Sequence, residues 1–191
     1  SQVIIVSASS KTAIGLAQGL ADTGKAPKII GLTSSKNSDF VNNLGCYDEV
    51  ITYDKLSSVN KSLKSVMVDM AGSREILGTL HMSLGDNMLK CFTVGMTHWD
   101  NEVTADDALG QAMLRDRTEF FFAPAHIQKR VKDWGYEGYN NKTNVFMASR
   151  AIQSKQWMQV KEIFGMEDFL PTYSKVVAGV INPIEGIIIN L

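Results

Sequence analysis

The residues best placed to do chemistry lie near the start of the chain, where Val3-Ile4-Ile5-Val6 runs into Ser7-Ala8-Ser9-Ser10-Lys11-Thr12. A helical stretch follows from Ala13 to Ala21, with apolar residues at Ile14, Leu16, Ala17 and Leu20. A strand that turns directly into a helix gathers unpaired backbone N–H groups and the positive end of a helix dipole at one point, a setting that binds phosphate. Glycines usually make such a turn. Here Ser7, Ser9 and Ser10 bring hydroxyl donors, Lys11 and Thr12 add a cation and a further hydroxyl, and Gly15 stands where close packing on a sheet wants no side chain. The plainer alternative is an ordinary serine N-cap.

The next apolar run, Lys28 to Leu32, ends in Thr33-Ser34-Ser35-Lys36. Folds that hold NAD place an Asp or Glu at this point to accept ribose hydroxyls. An acid-free tip that offers hydroxyl donors and a cation suits a 2′-phosphate instead, and so points to NADP(H).

These two corners need elements to position them. Lys28–Leu32, Glu49–Tyr53, Ser65–Asp69 and Leu89–Val94 read as further strands after Val3–Val6, and Ser38 to Leu44, closed by Gly45, and Ser73 to Leu84 as the helices between them. A polar loop from Asp100 to Asp116 precedes a sixth strand, Glu119 to Pro124, with the proline ending the ladder. Strands that alternate with helices and are apolar on both faces predict a doubly wound parallel sheet, Rossmann-like, in the order 3-2-1-4-5-6. Helices are expected over His126 to Trp134 and Lys142 to Phe164, with Gly135 to Asn141 as hinge or loop. A last strand, Gly186 to Leu191, pairs outside the main sheet. The expected division is a nucleotide-binding core over 1–125 and C-terminal helices with a closing strand over 126–191.

Composition excludes several classes. The 191 residues are 45% hydrophobic with a net charge of −1, which gives a substantial core and no overall pull toward nucleic acid or an anionic membrane. No apolar run reaches a membrane span, and no signal peptide or other targeting segment is visible. The chain opens directly on a strand without Met and reads as a mature or trimmed piece. The two cysteines, Cys46 and Cys91, read as small buried residues in a reducing compartment, the cytoplasm or an organelle matrix or stroma.

Six ordered motifs carry a resemblance: Ser7 to Ala13, Gly31-Leu32-Thr33-Ser34, Leu44 to Asp48, Val68 to Gly72, Gly95-Met96-Thr97-His98-Trp99 and Phe120 to Pro124. In these the chain resembles, nearly end to end, an uncharacterised family labelled a domain of unknown function. That family is similar to the medium-chain dehydrogenase/reductase superfamily, near its zinc-free quinone oxidoreductases. The resemblance implies a GroES-like catalytic domain, absent from this chain, ahead of a Rossmann domain whose last strand returns to complete the first. It also implies that Ser7 to Thr12 face a pyrophosphate and Thr33 to Lys36 an adenosine phosphate. Ala71 and Gly72 would lie near the ribose, and Gly95, Met96, Thr97 and the Phe122 backbone near the nicotinamide. The superfamily's A-x-G-x-x-G turn is replaced here by serines and is two residues longer.

Other residues have plainer readings. His98, at the expected carboxyl edge of the fifth strand, is a candidate general acid or a hydrogen-bonded loop histidine, and Trp99 stacks on a ring or caps the sheet edge. His81 and His126 lack a second ligand at helical spacing, so no metal site is expected. Asp69 is expected to orient a loop through backbone N–H groups. The Phe120-Phe121-Phe122 run is expected to fill core, and Lys129, Arg130 and Lys132 to form a solvated face.

The expectation for function is therefore the NADP(H)-binding half of a zinc-free oxidoreductase acting on a carbonyl, quinone or activated alkene, its cleft covered by the missing domain or a protein partner. The alternative is a non-catalytic binding or structural subunit of a larger assembly.

Overall fold

The computed structural model describes residues 1–71, 73–94 and 115–190. Its first strand, β1 (Gln2–Val6), is buried along its whole length, which only a central strand covered on both faces can be. Around it, β2 (Lys28–Thr33), β3 (Glu49–Thr52), β4 (Ser65–Asp69), β5 (Met88–Thr93) and β6 (Thr118–Phe120) form a parallel six-stranded sheet in the order β3-β2-β1-β4-β5-β6. This is the expected Rossmann-like order.

Alternation along β1 sends its side chains to two cores. Val3 and Ile5 pack with Ala13 and Ala17 of α1 (Lys11–Ala21). Ile4 and Val6 join Met67 and Cys91 with Leu77, Leu80 and Leu84 of α3 (Arg74–Leu84). Helices α1 and α3 thus cover opposite faces, as a doubly wound sheet requires. Each fully buried Leu or Ile of these clusters contributes about 1.5–3 kcal/mol. Helix α2 (Ser38–Asn43) is short and ends before Gly45, whose φ of +65° is the left-handed C-terminal conformation glycine allows.

Four local expectations change. Strand β6 ends at Phe120, and Pro124 occupies the second position of helix α4 (Ala123–Ser154), where a missing N–H costs no intrahelical bond. Phe120 and Phe122 are exposed and fill no core, while Phe121 stacks on His126 with ring centroids 4.3 Å apart. The expected loop over 135–141 narrows to Gly135 alone (φ +71°, ψ 165°), and helix resumes at once after it. Finally, Gln159–Phe164, expected as the end of a helix, is strand β7.

The chain divides into two compact units, Ser1–Asp133 and Trp134–Leu191. In the second, β7 pairs in parallel with β8 (Glu185–Asn190), joined by α5 (Gly165–Val177), in a separate two-stranded sheet. The last strand thus lies outside the main sheet, as expected. Among the described residues, no helix is long and apolar enough to cross a membrane.

Candidate functional site

In a parallel sheet all carboxyl ends lie on one edge, and a crevice opens there where the strand order reverses. The reversal falls between β1 and β4, because β2 and β3 lie on one side of β1 and β4 to β6 on the other. The crevice therefore sits over Ser7 to Ser10 and the residues just after Asp69.

The turn after β1 is tightly held. Ser7 adopts φ +62°, the left-handed region that normally selects glycine, and among the described residues it is the non-glycine with positive φ. Ala8 N–H continues the β1–β2 ladder onto Leu32 O at 2.8 Å, and Ser10 N–H closes the turn onto Ser7 O at 2.9 Å. Two tyrosines brace it from outside. Tyr53 Oη accepts the Ser7 N–H at 3.1 Å, and Tyr47 Oη donates to Ala8 O at 2.9 Å. Burial raises the pKa of both phenols, so they stay neutral and keep these roles.

Ser10 caps α1, its Oγ accepting the Ala13 N–H at 3.3 Å, so the N-cap reading holds. The first turn of α1 carries no acid and opens instead with exposed Lys11. A cation at a helix N-terminus opposes the dipole by about 0.3–1 kcal/mol, a cost that an anion bound there would reverse.

The tip of β2 joins this turn. Asn37 Nδ2 donates to Ser9 Oγ at 3.1 Å, linking the two predicted corners directly. Ser34 is half-buried, Ser35 and Lys36 are exposed, and Thr33 is buried at 1% exposure in the end of the sheet, away from any bulky anion. The tip is not free of acid. The register pairs Thr33 with Thr52, so residues two beyond each, Ser35 and Asp54, fall side by side, and Ser35 Oγ donates to Asp54 Oδ1 at 2.9 Å. The acid comes from just beyond the neighbouring strand β3, which reading β2 alone could not reveal. The Thr52 hydroxyl, and then that of Ser35, hold the Asp54 carboxyl below the usual range.

On the other side of the crevice, Asp69 is fully buried and accepts the Ala71 N–H at 3.0 Å, while its carbonyl accepts from Val94 N–H, the loop-orienting role expected of it. Ala71 is itself buried. Phe122 sits beyond β6, three strands from β1 and so roughly 14 Å along the edge. Its carbonyl already accepts from Ala125 and His126. Gly72, Gly95, Met96, Thr97, His98 and Trp99 lie outside the described residues, as does most of the 100–116 loop.

Gly15 has another explanation than packing, since a Cβ there would meet nothing within 4 Å. The glycine that a close approach demands is Gly31, where a Cβ would lie 2.8 Å from Tyr47 Cδ1 and 3.0 Å from Ala8 Cβ. Sequence reasoning also passed over Tyr47, Tyr53, Asn37 and Asp54. For Asn37, Tyr53 and Asp54 the signal is positional, since each stands just beyond the carboxyl end of β2 or β3, whereas Tyr47 precedes β3 and gives no such signal.

Lys129, Arg130 and Lys132 are exposed, with Arg130 paired to Asp133 at 3.2 Å, a solvated face as expected. Cys46 and Cys91 are buried and form no disulfide with each other, and burial pushes the Cys91 thiol up to about 12.

The chemistry of the turn fits a phosphorylated ligand, with its hydroxyls and a helix N-terminus bearing a cation, while the second corner sets Lys36 beside the Ser35–Asp54 pair. A family model described as "Protein of unknown function (DUF2855)" matches residues 1–182. No curated protein matches the chain.

Proposed function

The chain belongs to that DUF2855 family of unknown function, and from this premise we propose that it binds NADP(H) at the carboxyl edge of its sheet, as the nucleotide-binding part of an oxidoreductase. The observation that carries the reading is the start of α1 at the topological switch point: Lys11 in place of the acid a helix N-terminus favours, beneath a turn forced into glycine geometry by Ser7. Ser7, Ser9 and Ser10 would face the pyrophosphate, with Lys11 and Thr12 beside it. Ser34, Ser35 and Lys36 would face the 2′-phosphate, and Thr33 would support them from within the sheet. Ala71 and Gly72 would border the ribose, and Gly95, Met96, Thr97 and Phe122 the nicotinamide.

Bound NADPH would supply hydride to a carbonyl, quinone or activated alkene, in keeping with the resemblance to zinc-free medium-chain dehydrogenases/reductases. This chain's residues bind and orient; His98 is a candidate proton donor.

A second reading, a non-catalytic subunit, is favoured by one observation: the turn is already bonded to the protein's own Tyr53, Tyr47 and Asn37. Calorimetric titration tests the cofactor on which the first reading rests. NADPH binding more tightly than NADH by about threefold or more, with the difference erased in Lys36→Ala, supports the first reading. Equal affinities remove the 2′-phosphate argument, and no binding of either removes the cofactor.

A further inference from the structure

We infer that Asp54, reaching over from the end of β3, sets how strongly this corner prefers a 2′-phosphorylated dinucleotide; the inference rests on the dinucleotide reading above. Folds that accept a ribose diol usually carry the acid on the second strand. Here the second strand carries none, and the parallel register brings one across from the third: Thr33 opposite Thr52 puts Ser35 opposite Asp54, joined at 2.9 Å.

The contact changes what the corner offers. The Ser35 hydroxyl gives its hydrogen to the carboxylate, so it meets a ligand with oxygen lone pairs rather than with a donor. Asp54 is exposed, as are Lys36 and its own neighbour Lys55, so a carboxylate and two ammonium groups compete for whatever occupies the corner. A ribose diol donates hydrogen bonds to a carboxylate, whereas a phosphate monoester dianion is repelled by it and attracted by the lysines. Asp54 therefore restrains the NADPH preference that the lysines create. A purely structural clamp on Ser35 would leave that preference untouched.

Wild type, Asp54→Asn and Asp54→Lys are titrated with NADPH and NADH, and with the adenosine ends alone, 2′,5′-ADP and 5′-AMP, at low and high salt. Asparagine keeps an oxygen that accepts from Ser35 while removing the charge. The ratio of NADPH to NADH affinity rises about three- to tenfold in Asp54→Asn at low salt and further in Asp54→Lys. The gain shrinks near 1 M salt, where the Debye length falls to about 3 Å, and the two adenosine fragments show the same change. If both dinucleotides bind and the ratio is the same in all three proteins, Asp54 is no specificity residue and the dinucleotide reading stands. A gain that persists undiminished at high salt also overturns the charge argument. If wild type binds none of the four ligands, both readings fall together.

Discussion

A serine held at φ +62° carries a backbone cost of about 1–2 kcal/mol. Glycine would hold the same conformation without it, so a serine kept at Ser7 points to its hydroxyl. Replacing it separates stability from binding. Ser7→Gly should raise stability by about 0.5–1 kcal/mol in urea unfolding, the released strain being partly offset by glycine's extra freedom in the unfolded chain. The same variant should weaken NADPH binding several-fold, to about the extent expected for one lost hydrogen bond to a charged group. A gain in stability with unchanged affinity would make the hydroxyl incidental. The residue scale is also where sequence reading is weakest. It found Ser7, Ser9 and Ser10 because they follow a strand, yet could not see that Tyr53 and Tyr47 would brace them, since those contacts span 46 and 39 positions.

Elements were more legible than contacts, for a reason visible in β1 and β7. The run Gln2–Val6 is buried throughout, and an unbroken apolar run of strand length admits few other readings. Gln159–Phe164 has Lys161 and Glu162 at its centre and exposes nearly all its side chains. No glycine or proline separates it from Ser154, so nothing in the pattern announces the end of α4. Helix α3 shows a different limit: its buried face, Leu77, Leu80 and Leu84, includes His81 at 1% exposure. Burial lowers the His81 pKa, disfavouring its charged form. A folded-state pKa below the unfolded value means that the unfolded chain takes up the proton first as pH falls. The stability tied to His81 is thus complete above the unfolded pKa of 6.5 and declines as pH drops below it. Unfolding free energies from urea titrations between about pH 7.5 and about pH 5 should fall with pH, by at most ~1.4 kcal/mol per pH unit for one such group. His81→Gln should flatten that slope; an unchanged slope would assign it to other groups.

Across the whole molecule the two units differ sharply in what they bury. Ser1–Asp133 holds both hydrophobic clusters and the six-stranded sheet, so the carboxyl-edge turn and the β2 tip rest on a complete core. Among the described residues, Trp134–Leu191 contributes only Ile163 to the buried apolar residues, while Val145, Ile152, Val160, Phe164 and Val177 are all more than 60% exposed. Ordering each residue costs about 1–2 kcal/mol of backbone entropy. One buried isoleucine and a two-stranded sheet cannot offset that across such a segment, since isolated two-stranded sheets are marginal in water. A fragment ending at Asp133 should therefore unfold cooperatively by far-UV circular dichroism. It should keep whatever dinucleotide affinity resides in Ser7 to Lys36. The fragment from Trp134 to Leu191 should show no cooperative transition as a monomer. A sharp, concentration-independent melt of that second fragment would mean that its helices and strands find a core of their own, and the sharp contrast in burial would then misstate its stability.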